Sequence, residues 1–189
     1  MRPHRPRSTG PATRGFTLVE MLIVVLLLAI IARVMVPSLA GNDERRLDVA
    51  ASEVRESLRF ARSEALRRGQ KVLFDAESSP GRLKILVTSC TSSGSPKSVT
   101  DPRTKLTFDV NIADGPFSGG VVVTPQFIVA GSAWGGVVFD ASGEAVDACQ
   151  VTGMNGKGTP EAGSKVLLSL AGRQLSVSLD PPTGRATGP

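Results

Sequence analysis

The sequence predicts an α+β protein in which a long N-terminal helix, half apolar and half amphipathic, packs on a small antiparallel β domain. Three observations carry that prediction. Met21 to Ala32 is an unbroken apolar run. Leu47, Ala50, Ala51, Val54, Leu58, Ala61 and Ala65 recur mainly at three- and four-residue steps, which is one stripe of a helix. Near the end of the chain Leu175, Val177 and Leu179 alternate with Gln174, Ser176 and Ser178, the period of a strand with one face buried.

The apolar run belongs to a longer segment, Phe16 to Val36, whose only polar residues are Thr17, Glu20 and Arg33. As a helix it would rise about 32 Å, against a hydrocarbon core of roughly 30 Å. Residues 1–15 carry Arg2, Arg5, Arg7 and Arg14 and no acid, and read as disordered and cytoplasmic. This asymmetry predicts a single membrane pass with a cytoplasmic N-terminus and the C-terminal part translocated. It is blurred by Arg33, Arg45 and Arg46 on the far side. A cleavable secretory signal ending at Ser38-Leu39-Ala40 is one competing reading, but the apolar stretch is too long for it and Glu20 sits inside its start. A plain anchor is the other, and it leaves Glu20 unexplained.

Pro37, Gly41 and Asn42 predict a kink or loosening between Val36 and Asp43, within one long helix over residues 16–68. In its second half Asp48, Glu53, Arg55, Glu56, Arg59, Arg62 and Arg67 cover the face opposite the apolar stripe and read as solvated. Glu64 is spaced to pair with Arg67 and Arg68, and Gly69 is a helix-stop signal. Strands are predicted at Lys71–Asp75, Leu83–Ser89, Lys105–Val110, Gly120–Thr124 and Val137–Asp140. The clearest pair is Lys165–Leu170 and Gln174–Leu179, a hairpin joined by Ala171-Gly172-Arg173. Ser92–Thr100 and Thr152–Ser164 are rich in Gly, Ser, Thr and Pro and read as loops, and the strands are candidates for a small sandwich.

Composition excludes much chemistry. The chain has 189 residues, 41% hydrophobic, 4% aromatic and without Tyr, enough for one domain with an appendage. The net charge is +5, but residues 1–15 hold four of the arginines, and the remainder balances at 18 basic against 17 acidic residues. Without residues 1–15 the chain is near neutrality, which does not support strong phosphate binding, so nucleic acid is not an expected partner. The single His is His4, so the rest of the chain has no Ser-His or Cys-His pair and no histidine metal site. Two cysteines do not make a four-cysteine zinc site. Counting alone leaves carboxylate or Ser-Lys catalysis open, but no catalytic residue, metal or cofactor is assigned. Gly153 to Thr159 has a superficial likeness to a phosphate loop, but its spacing is wrong and no strand and helix flank it, so it reads as a flexible loop.

Cys90 and Cys149 both fall in the part predicted to be exported, where an oxidising envelope permits a disulfide. Closing that span would stabilise by about 4 kcal/mol through lost chain entropy in the unfolded state. Two separate buried thiols are the alternative.

Gly15-Phe16-Thr17-Leu18-Val19-Glu20, after a basic leader and before a long apolar helix, resembles the class III signal of type IV prepilins and type II secretion pseudopilins. The resemblance implies that a prepilin peptidase cuts after Gly15 and that Phe16 is then N-methylated. It also gives Glu20 a role. A lone carboxylate at mid-membrane costs roughly 2.5–3.5 kcal/mol, so such a group is rare unless paired. In the family it pairs with the cationic amino terminus of a neighbouring subunit, which fixes axial register. Pairing with its own amino terminus is the alternative.

Phe60-Ala61-Arg62-Ser63-Glu64-Ala65 with Arg68-Gly69, and more weakly Thr183-Gly184-Arg185, resemble the GspH/FimT group of H-type minor pseudopilins and related minor pilins. The resemblance implies a pilin-like, non-enzymatic subunit that helps to initiate or cap a type II secretion filament. Its expected partners are the prepilin peptidase, other pilins or pseudopilins, and inner-membrane lipid before assembly. The expected divisions are a leader over 1–15, a transmembrane and filament-core helix over 16–36, its amphipathic continuation over 37–69, and a β-rich periplasmic domain over 70–189. Two alternatives stay open: a minor pilin of a type IV pilus, in pilus assembly or DNA uptake, and a secreted or membrane-anchored globular protein.

Overall fold

The computed structural model describes residues 16–35, 42–76, 81–88, 90, 95–149 and 155–188. The chain divides into two units, Met1–Gly41 and Asn42–Pro189. In the first unit α1 spans Leu18–Met35. It is apolar all round, and its described side chains are exposed. Its 18 residues rise about 27 Å, somewhat less than a hydrocarbon core. No helix among the described residues is long and apolar enough to cross a membrane. The expected span 16–36 overruns α1 at both ends. The kink expected between Val36 and Asp43 falls mostly on residues 36–41, outside the described residues, so the single helix over 16–68 is not traced as one element.

The second unit opens with α2, Asn42–Arg68. Asp43 and Glu44 in its first turn and Arg67 and Arg68 in its last complement the helix dipole. Gly69, at φ +63°, ends it in the left-handed conformation, with its N–H donating to the Ala65 carbonyl at 2.9 Å. The buried face holds Leu47, Ala50, Ala51, Val54, Leu58, Ala61 and Ala65, the stripe predicted from spacing, and adds Ser57 and Glu64. Four of those seven are alanines, which let the helix axis approach the sheets closely.

Two antiparallel sheets meet this helix. The first contains β1 (Val72–Asp75), β2 (Arg82–Val87), β3 (Lys97–Ser98), β4 (Asp109–Asn111), β7 (Gly136–Phe139) and β8 (Ala145–Cys149), in the order β3-β2-β1-β7-β8, with β4 also pairing β2. The second contains β5 (Val122–Val129), β6 (Ser132–Trp134), β9 (Lys165–Leu170), β10 (Arg173–Asp180) and β11 (Arg185–Thr187), in the order β11-β10-β9-β5-β6. Both sheets and α2 share one core, in which Phe74 of β1 meets Phe127 of β5 edge-on at 6.1 Å.

The first sheet is buried on both faces. Phe74, Ile85, Val137 and Phe139 face the shared core, whereas Leu73, Leu86 and Val138 form a second cluster with Cys90 and Cys149. This is why β1 and β7 show no alternation in sequence. In the second sheet the alternation holds, with Val166, Leu168, Val177 and Leu179 inward. The hairpin β9–β10 turns on Ala171 and Gly172, at φ +50° and +81°, the pair of positive values that a two-residue type I′ turn demands.

Elsewhere the strands depart from expectation. The one expected at Lys105–Val110 is confined to Asp109–Asn111, because Lys105 (φ +61°) belongs to a turn closed by hydrogen bonds between Asp101, Lys105 and Leu106. The one expected at Gly120–Thr124 continues through Pro125 to Val129. Val122–Gln126 pair only with β9 and Phe127–Val129 only with β6, so the missing N–H of Pro125 disturbs no second ladder.

Candidate functional site

Gly15, the expected cleavage position, lies outside the described residues. Phe16 is 73% exposed and precedes the helix rather than opening it. Thr17 caps α1: its Oγ1 accepts the Glu20 N–H at 3.3 Å, and its carbonyl accepts the Met21 N–H at 3.2 Å. Thr-x-x-Glu ahead of an apolar run is the capping-box spacing, so Glu20 also sits where the positive end of the helix dipole favours a carboxylate. The Thr17-x-x-Glu20 spacing is itself a sequence signal for this cap.

Cys90 and Cys149 are joined by a disulfide, Cα–Cα 6.2 Å, that ties the end of β8 to the segment after β2. The neighbouring residues 155–159 are not the loose loop their composition suggests. The N–H groups of Lys157 and Gly158 both donate to Asp147 Oδ1 at 2.8 Å, and the Gly156 N–H donates to the Cys90 carbonyl at 3.1 Å. The Ala148 N–H donates to Gly158 O, and the Lys157 N–H to Ala148 O, each at 3.0 Å, so this stretch lies along the edge of β8. Lys157 Nζ stands 4.6 Å from the centroid of the Trp134 ring.

The segment Phe60 to Ala65 is structural at nearly every position. Phe60 stacks on Phe108 at 5.2 Å. Ala61 and Ala65 are in the core. Arg62 does not point into solvent as a member of the polar face, because its Nε donates to the Gly143 carbonyl at 3.1 Å. That carbonyl lies against Gly184, where an added Cβ would stand 1.9 Å from it. The Ala145 N–H donates to the Pro181 carbonyl at 3.0 Å in the same place. Arg62, Gly143 and Gly184 therefore form one junction of the helix with the turns of both sheets. Glu64, with a side chain 6% exposed, accepts from Arg67 at 2.9 and 2.6 Å and from Arg68 at 2.6 Å. The Arg67 hydrogen bond leads in holding its carboxyl below the usual carboxylate range, against burial, which raises it.

Among the described residues no group of three or more His, Cys, Asp and Glu side chains is placed to hold a metal ion.

An N-terminal helix followed by a second helix on antiparallel sheets, behind a Gly-Phe-Thr-Leu-Val-Glu signal, defines a pilin-like protein. The prokaryotic N-terminal methylation motif matches residues 11–32, and the family described as Type II transport protein GspH matches residues 50–182. The chain belongs to the GspH family. Two crystal structures of the type IV minor pilin FimU of Pseudomonas aeruginosa PAO1 are similar at 17% identity. The form in space group P21 has a TM-score of 0.48 and covers 79% of this chain and 92% of its own. The form in P65 has a TM-score of 0.45 and covers 76% and 92%. No curated protein matches the chain.

Proposed function

We propose that this chain is an H-type pseudopilin, a minor subunit of a type II secretion filament that helps to initiate or cap it. A single observation carries the reading: a methylation motif over 11–32 stands ahead of a GspH match over 50–182 on one chain. In this reading a prepilin peptidase cuts after Gly15, Phe16 is methylated, and residues 16–36 hold the precursor in the inner membrane. Residues 37–69 continue the helix, and residues 70–189 form the periplasmic domain. Lipid is the first environment of α1, and the packed helices of other pilins or pseudopilins are the second. An apolar helix exposed on every side is suited to both. Glu20 pairs with the amino terminus of a neighbouring subunit. The Cys90–Cys149 bridge suits an oxidising envelope. The work of the subunit is interfacial and not catalytic.

The test compares proteins in the culture medium of the source bacterium, a clean deletion of this chain, and a complemented strain. A set of exported proteins that leaves the medium and accumulates in the periplasm of the deletion strain supports the reading. An unchanged medium with fewer surface pili replaces it with a type IV pilus minor pilin. Intact mass adds a second check. A mature chain starting at methylated Phe16 supports a filament subunit, whereas a start at Gly41 marks a secreted protein and an intact Met1 a plain anchor.

A further inference from the structure

The flank of α2 beside its buried stripe is not uniformly solvated. Together with residues 101–110 it encloses a cleft of about 460 Å³. Its floor is the stacked pair Phe60 and Phe108, with rings 5.2 Å apart and 21° from parallel. Its rim carries Glu53 and Glu56 from the helix and Asp101 and Arg103 from the loop. Glu53, Glu56 and Phe60 are spaced three and four residues apart, so they share one helix face.

The charges on the rim do not balance. Asp101 accepts the Arg103 N–H at 2.8 Å and pairs with its guanidinium at 3.5 Å. Glu56 pairs with Arg59 at 3.0 Å. The half-buried Glu53 carboxylate makes no hydrogen bond or ion pair among the described residues, although Ser57 Oγ bonds its backbone carbonyl at 2.7 Å. Burial pushes the Glu53 carboxyl above its ordinary pKa, and the charge of Arg103 only partly opposes this. A carboxylate that the Arg103 charge only partly compensates, beside two phenyl rings, is complementary to a cation on an apolar stem. The rings attract the charge, the floor covers the methylenes, and the carboxylate accepts the hydrogen bond.

We propose that this cleft receives an arginine or lysine side chain, flanked by an apolar residue, from a neighbouring subunit of the filament. The inference rests on the filament reading above. It makes Glu53 the charge partner and the Phe60–Phe108 pair the platform, and so gives the β domain a lateral contact separate from α1.

The experiment uses the full chain in cells that assemble the filament. The photo-crosslinker p-benzoylphenylalanine is placed either at Arg59, the exposed ion-pair partner of Glu56 beside the cleft, or at Leu27, in α1. The expected result from position 59 is an adduct with one sibling subunit, mapping to a peptide with Arg or Lys beside an apolar residue. Glu53→Lys should lower that adduct at least about tenfold and leave the adduct from position 27 unchanged. Glu substituted for the mapped cation should restore it in the Glu53→Lys background. If Glu53→Lys becomes protease-sensitive, Glu53→Gln replaces it, with a loss of about threefold or more expected. The proposal is overturned by adducts from position 27 with none from 59, by an adduct indifferent to Glu53, or by a mapped peptide lacking a cation. Absence of adducts from both positions overturns the filament reading and the inference together.

Discussion

The two helices of this chain reach stability by different routes. In α1 the apolar residues run all round the cylinder, and every described side chain is exposed. In α2 they form one stripe, and that stripe is buried under two sheets. An exposed apolar helix has no internal compensation for its hydration, so its free energy depends on what surrounds it. An amphipathic helix carries its compensation within the fold. Changes in α2 and the β domain should therefore alter unfolding of the chain itself, whereas changes in α1 should alter only its association with lipid or with other helices.

The largest test of this contrast is the bridge. Cys149→Ala, which opens a loop spanning 59 positions, should cost about 4 kcal/mol, read by urea unfolding of the detergent-solubilised chain. Next comes a matched pair of leucines. Leu58→Ala, in the core, should cost about 3 kcal/mol, whereas Leu27→Ala should leave the midpoint of β-domain unfolding where it was. An equal shift from both would break the comparison. Gly184→Ala should cost about 2 kcal/mol, because the new Cβ meets the Gly143 carbonyl at a residue held at φ +61°.

A pH series sharpens the picture further. The carboxyl of Glu64 is held below its ordinary pKa of 4.5, so its contribution is present above that value and is lost as pH falls through the lower folded-state value. The stability gap between the wild type and Glu64→Gln should shrink on acidification below about pH 4.5. The smallest effect belongs to α1. Thr17→Ala removes the cap on the Glu20 N–H and should fray the first turn by about 1 kcal/mol, visible as faster amide exchange there and nowhere in the β domain.

Legibility in the sequence followed the range of the interactions. The α2 stripe was readable because a helix buries residues three and four apart on its own axis, and Leu47 to Ala65 keep that spacing. The β9–β10 hairpin was readable because its two strands are adjacent in sequence and one face is wet. The strands β1 and β7 gave weaker signals, since burial on both faces removes alternation. The chemistry around Asp147 was hidden. A Gly- and Lys-containing stretch has the composition of a loop whether or not a carboxylate organises its N–H groups. The structural role of Arg62 leaves no local signal, because its acceptor, the Gly143 carbonyl, is 81 residues away.

By itself the sequence determined the local and one-dimensional properties of this protein. These are the apolar helix behind a basic N-terminal segment, the amphipathic helix with its stop at Gly69, the terminal hairpin, and the methylation motif that includes Gly15 to Glu20. Each depends on periodicity or on a short contiguous motif, which backbone geometry converts directly into structure. Only the tertiary structure decided the rest. It brought Cys90 to Cys149, Arg62 to Gly143 and Gly184, and Phe60 to Phe108. It also left the Glu53 carboxylate without a salt bridge among the described residues, with only the charge of Arg103 opposing its burial. These arrangements depend on which strands pair and which faces are covered, and contacts between residues tens of positions apart leave no period in the sequence.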